Sequence, residues 1–230
     1  MKKTFLYLII IFSCSIINGQ TVNLDSIFAP KLSGEIYEKQ KGLMGKQFYN
    51  DDWAESDIKL DNGEIARNKL LKYNEFMDEV IWLQADSSRQ IMLEKHFIDE
   101  FCFKNYNGRP VRFIRLKAKL PAMTDSSDIF VEVLSEKKAS LYVFRNVIIN
   151  GTINSVEDGV LYSYNKLEPR PVYILKLPDS KTVTFNRIKK SAILKALPEE
   201  YRITIKGIIQ KNNLSVRSED DLSKLVEMIN

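Results

Sequence analysis

The sequence predicts an α+β fold: an antiparallel strand-rich body, in the form of a curved sheet, a sandwich or a partly open barrel, covered by about three short C-terminal helices. Three observations carry this. Runs of β-branched and aromatic residues recur through the middle of the chain, each closed by a turn sequence. The runs lie only a few residues apart, so pairing neighbours as hairpins has a small closure cost. After Asn186 the apolar spacing changes from two residues to three or four, the helical period.

Residues 21–50 form a weakly patterned lead-in, punctuated by Pro30, Gly34, Gly42 and Gly45, with Leu43-Met44 expected to dock on a body built elsewhere. The strand-rich body spans 51–186. Ile58 and Leu60 run into Asp61-Asn62-Gly63, and Asn-Gly supplies the positive φ of a tight hairpin. A turn is expected at Asn74-Glu75, then a strand through Val80-Ile81-Trp82-Leu83, broken by Asp86-Ser87-Ser88. Ile91 and Leu93 resume the alternation, which the aromatics Phe97, Phe101 and Phe103 continue. In 111–120 bases alternate with apolar residues, which predicts a strand with its bases in water; a helix over the last six residues is the alternative, against which the β-branched and aromatic start speaks.

Ser135-Glu136-Lys137-Lys138 joins a second hairpin, and Pro178-Asp179-Ser180-Lys181 a third. Between them, Asn150-Gly151 and Glu157-Asp158-Gly159 are both turn sequences, and Pro169-Arg170-Pro171 suits an edge or loop because proline cannot donate to a ladder. In the helical segment 187–230, apolar stripes run through Ile188, Ala192, Ile193, Ala196 and Leu197, then Tyr201, Ile205, Ile208 and Ile209. A third runs through Leu222, Leu225, Val226 and Ile229, where Ser218 and Asp221 have the spacing of a helix cap. Such stripes need a surface to cover, and the strand body supplies it.

The start of the chain predicts export. Lys2 and Lys3 precede an apolar run over 5–12, followed by small and polar residues up to Gly19-Gln20, the order of a secretory signal. The run is short of the roughly 20 apolar residues that span a bilayer. Cleavage near Gly19 or Gln20 would send the chain, from about Thr21 onward, to the periplasm or the medium. A lipid anchor through Cys14 is the alternative address: Ile11-Phe12-Ser13-Cys14 loosely resembles a lipoprotein box. Phe12 fits that box poorly, however, and Ser15, Ile16 and Ile17 carry the apolar core past the cysteine.

Composition narrows the chemistry. The 230 residues are 28% charged with a net charge of +4, which gives no support to a nucleic-acid partner. One histidine and two cysteines exclude most zinc, haem and iron–sulfur designs, and no cofactor or metal is expected. Cys102, between Phe101 and Phe103, is expected to be a buried thiol. His96 lies close to Asp99 and Glu100, the residue types of a base and its orienter, but no nucleophile elbow accompanies them. Trp53, beside the acidic residues Asp51, Asp52, Glu55 and Asp57, and Trp82 are the sugar-stacking candidates, with core packing as the competing role. These five residues, Trp53, Trp82, His96, Asp99 and Glu100, are the candidate site residues, and none is assigned a catalytic role.

Asn18-Gly19-Gln20, Asn62-Gly63-Glu64-Ile65, Leu71-Lys72-Tyr73-Asn74, Asp78-Glu79-Val80, the Leu-Lys-Leu-Pro-Asp run at 175–179, the lysine-rich helix at 189–195 and the final helix at 221–230 resemble uncharacterised exported proteins of Bacteroidota. The resemblance covers most of the exported chain and implies a shared fold and export route. Its motifs are turn and packing residues, so it implies no activity.

The functional expectation is a non-enzymatic binding or envelope-associated accessory protein. Its partners would be an envelope protein or a glycan, with no transmembrane span and with a homodimer through an open sheet edge as a further form. The alternative is a hydrolase acting on glycan or peptide, whose carboxylates come together only in space.

Overall fold

The computed structural model describes residues 30–121 and 123–229. The export signal, its cleavage point and Cys14 lie outside the described residues.

Two short strands, β1 (Gly34–Ile36) and β2 (Leu43–Met44), occupy the lead-in. The body continues through β3 (Ala54–Leu60), β4 (Ile65–Asn74), β5 (Glu79–Gln84), β6 (Arg89–Leu93), β7 (Ile98–Tyr106), β8 (Arg109–Ala118), β9 (Ser127–Glu136) and β10 (Ser140–Phe144). A long hairpin, β11 (Val147–Glu157) and β12 (Val160–Pro169), is followed by a short one, β13 (Val172–Lys176) and β14 (Thr182–Phe185). Three helices close the chain: α1 (Lys190–Ala196), α2 (Glu199–Lys211) and α3 (Glu219–Glu227).

Eleven of these strands form one antiparallel sheet in the order β1-β6-β5-β4-β3-β7-β8-β9-β10-β13-β14. The sheet is open, since β1 and β14 each pair on one side only. A smaller sheet, β11-β12-β2, stands apart from it, with β2 parallel to β12. The hairpins at Asp61-Asn62-Gly63, at Ser135–Lys138 and at Pro178–Lys181 form as predicted, because their turn residues and flanking strands are local in sequence. Gly63 has a φ of 85°, and Asn62 Oδ1 accepts from the Glu64 N–H across the turn.

The large sheet is curved. In a flat sheet β4 and β9 would lie four strand spacings apart, about 19 Å. Instead the Tyr73 ring sits 6.3 Å from that of Phe130, and Asp78, in the turn after β4, accepts from the Phe130 N–H at 3.2 Å. β10 pairs with β9 only from Glu132 onward, so Asp78 takes the Phe130 N–H in place of a strand. Lys95 neutralises that carboxylate at 2.9 Å. Inside the curve Phe101, Phe103, Phe113, Phe130, Tyr73 and Leu71 form a fully buried aromatic core.

The helices cover the other half of the same face. Leu141, Val143, Tyr173 and Leu175 meet Ile193, Leu197, Ile205, Ile209, Leu222, Leu225 and Val226 there. Each side chain of this kind, taken out of water, contributes roughly 1.5–3 kcal/mol before ordering entropy is subtracted. Pro198 is the N-cap of α2, and Ser218 Oγ accepts from the Asp221 N–H at 3.1 Å to cap α3 as the spacing predicted. Glu132 pairs with Phe113 on one side and Val143 on the other, so it marks the seam between the two cores. On the opposite, helix-free face, Ile129, Val131, Tyr142, Phe144 and Ile174 form a third, smaller cluster under Leu120.

Three local expectations are corrected. Asn150-Gly151 is not a turn but a bulge within β11: the register with β12 shifts there and Gly151 takes a φ of 83°. Cys102 is half-buried, not buried, because strand alternation turns it away from the face of Phe101 and Phe103. Arg112 and Arg115 of β8 are drawn out of bulk water into ion pairs with Glu100, Glu136, Asp99 and Asp128.

Candidate binding groove

The sequence-predicted site residues do not converge. Trp53, half-buried before β3, lies with Phe48 around the Lys72 ammonium, at 5.2 and 5.5 Å from the ring centroids. Trp82, on β5, carries Lys69 over its ring at 5.8 Å. His96 is exposed in the 3-10 turn Lys95–Phe97, with Nε2 3.6 Å from Glu94 and its ring against Phe97. Asp99 accepts from Arg115 at 2.9 Å, and Glu100 from Arg112 at 3.0 Å. Adjacent on a strand, these two carboxylates face opposite sides of the sheet, and neither meets His96. Among the described residues no three His, Cys, Asp or Glu side chains gather as a metal site.

A concave feature lies on the helix-free face. A groove of about 780 Å³ has Phe144, Val172 and Thr184 as its floor. One wall is the segment after β8, through Leu120, Pro121 and Met123. The other is the root of the β11–β12 hairpin, with Ile148 and Pro169, continued by Arg170 and Pro171. A second depression of about 650 Å³ shares Leu120, Pro121, Met123 and Thr184 with the first and continues over Leu116, Tyr142 and Ile174. The side chains of β10, β13 and β14 alternate, so every second residue supplies this floor while its neighbours anchor the helices on the opposite face.

The rim is basic. Arg170 and Arg187 border the first depression, and Lys117, Lys119 and Lys176 the second. Among the described residues Glu168 is the one carboxylate along it, and Arg170 holds that at 2.8 Å, with Asn150 bonded to it as well. Among the described residues Lys117, Lys119, Lys176 and Arg187 have no ion-pair partner. An apolar floor under unpaired cations is a surface for an apolar group that carries negative charge.

The Glu132 and Glu219 carboxylates are committed elsewhere. Arg145, between β10 and β11, contacts Glu132 at 2.7 Å and Glu219 at 2.6 and 2.8 Å. Tyr49 Oη donates to Glu132 at 3.2 Å, and Tyr173 Oη to Glu219 at 2.9 Å. Burial pushes the Glu132 carboxyl up, and the Arg145 charge only partly offsets it. Burial works against the Glu219 charge too. There the hydrogen bonds and charge of Arg145, joined by Tyr173, outweigh it and hold the carboxyl below its ordinary range. This network ties the lead-in, both cores and α3 together, and it fills the seam instead of lining a cleft.

Sequence reasoning noticed several of the groove residues, but as solvated strand bases (Lys117, Lys119) and as an edge or loop (Pro169, Arg170, Pro171). Roughly fifty residues separate the two groups in the chain, and no local pattern announces their meeting. No family model, curated protein or solved structure matches the chain.

Proposed function

We propose that this is an exported, non-catalytic binding protein of the cell envelope, with the basic-rimmed groove as its docking site. The occupant is an apolar group bearing a negative charge. One observation carries the reading: five bases and one acid border an apolar floor on a face that no helix covers. Export is supported by Lys2-Lys3 and the apolar run at 5–12, and by the resemblance to exported Bacteroidota proteins. The hydrolase reading needs two carboxyl groups about 5–10 Å apart in a cleft. Among the described residues that line the groove, the one carboxylate is Glu168, already paired with Arg170.

Isothermal titration with dodecyl phosphate and with the uncharged dodecyl maltoside, both below micelle formation, tests this. Dodecyl phosphate is expected to saturate one site per chain and to bind more tightly than the maltoside. Lys119→Glu with Arg187→Glu is expected to weaken it by about tenfold or more. Equal affinity for the two amphiphiles, or binding indifferent to the charge reversals, would refute the groove as the site.

A further inference from the structure

The β11–β12 hairpin projects from the molecule with both faces uncovered near its tip. Past its root, where β2 pairs with Asn165 and Lys166, the ladder continues from Thr152↔Asn165 to Glu157↔Val160. Six residues at about 3.3 Å each carry the tip roughly 20 Å outward. Val156 and Leu161 are direct partners on one face, 68% and 67% exposed. Val160 and Tyr162 stand on the other, 52% and 44% exposed. A cluster of large apolar side chains left in water on a two-stranded ribbon marks an interaction surface. From Val147 to Asn165 the chain has two acids, Glu157 and Asp158, and no base.

The groove has the complementary character: apolar on its floor, basic at its rim and walled by the root of this same arm. We infer that the arm of one copy of this chain docks in the groove of a second copy, reciprocally, to form a two-fold dimer. This rests on the groove being a docking site and names its partner. A second copy is the occupant because one chain carries both halves of the match, an apolar arm with an acidic turn and an apolar groove with basic borders. The arm does not fill its own groove, since its ladder holds the tip away from the wall in which it is rooted. Reciprocal exchange closes the assembly and doubles the contact. The free edge of β14, beside the groove, and that of β11, uncharged from Val147 to Val156, leave backbone groups on both sides for strand pairing.

Sedimentation velocity over a concentration series tests this in three proteins: the wild type, an arm variant (Val156→Asp with Leu161→Asp) and a groove variant (Lys119→Glu with Arg187→Glu). The wild type is expected to dimerise, more weakly as salt is raised. Each variant alone is expected to remain monomeric with an unchanged melting temperature. Mixing the two is expected to recover a heterodimer, because one intact arm then meets one intact groove. A wild type that stays monomeric at all concentrations, or a dimer that survives in either variant, would overturn the inference. Dodecyl phosphate titrated into the arm variant, whose groove is intact, separates the two ideas. Binding there upholds the groove reading when the dimer fails, and absence of binding sinks that reading whatever the wild type does.

Discussion

The guanidinium of Arg145 meets the carboxylate of Glu219 fork to fork, at 2.6 and 2.8 Å, and so joins the end of β10 to the first turn of α3. Two parallel charge-assisted bonds fix orientation as well as distance. The remaining edge of Arg145 faces Glu132, whose side chain is 2% exposed. Removing the arginine strands that carboxylate. Arg145→Leu is expected to cost about 3–5 kcal/mol, and Glu219→Gln, which leaves Glu132 paired, about 1–2 kcal/mol. Adding Glu132→Leu to Arg145→Leu should recover part of the loss. Denaturant midpoints of the three proteins check the order, and equal losses for the first two would contradict it.

Stability is expected to fall between mildly acidic and neutral pH. Burial pushes the Glu75 carboxyl from its ordinary 4.5 up to about 7, with Glu132 adding to the push and Lys46 and Arg145 opposing it. Between those two values the folded chain keeps a proton that the unfolded chain releases. The contribution of Glu75 is therefore complete below 4.5 and lost as pH rises through about 7. A shift of this size corresponds to on the order of 3 kcal/mol. Glu219, held below its ordinary range, acts in the opposite sense: its contribution is present above that range and lost as pH falls through the lowered value. Denaturant melts against pH should show the decline in the wild type and a shallower one in Glu75→Gln, since Glu132, also pushed up by burial, adds to it. A variant with the same slope as the wild type would place the proton elsewhere.

Gly63→Val is expected to destabilise the protein by about 1 kcal/mol or more, since a β-branched residue resists a φ of 85°. A Cβ at this position meets nothing within 4 Å, so the cost is backbone strain and not a clash. Gly63→Asn should accordingly cost less, because asparagine tolerates positive φ. Thermal melts of the two variants distinguish strain from crowding.

Leu225→Asp is expected to unfold the chain or lower its melting point sharply. Leu225 is 1% exposed in the helix-covered core, where a lone carboxylate finds no partner. Ending the chain before Ser218 should do the same for two reasons at once, the loss of Leu222, Leu225 and Val226 from the core and the loss of Glu219 from Arg145. Ser218→Ala, which removes only the cap, should cost about 1 kcal/mol. Circular dichroism melts rank the three.

Legibility in the sequence followed the range of the interaction. Asn62-Gly63 dictates its hairpin because positive φ is a property of those two residues. Leu222, Leu225 and Val226 announce a buried helix face because their spacing and the helical period coincide. Where pairing was long-range, the local pattern misled. Asn150-Gly151 has the chemistry of a turn, but β12 continues opposite it and converts the extra residue into a bulge. Cys102 has aromatic neighbours in sequence, but the pleat puts them on the other face. His96 and Asp99 are close in the chain and bind different partners, Glu94 and Arg115.

The alternation of hairpins, the change to helices after Asn186 and the cap at Ser218 are legible in the sequence, because each depends on residues within a few positions of one another. That Tyr73 reaches Phe130, that Arg145 stands between Glu132 and Glu219, and that Lys119 and Arg170 border one groove is a matter of the folded sheet. Those meetings depend on the curvature and strand order of an eleven-stranded sheet. Curvature is set by the sum of many packing contacts between distant residues, and no short stretch of chain carries that sum.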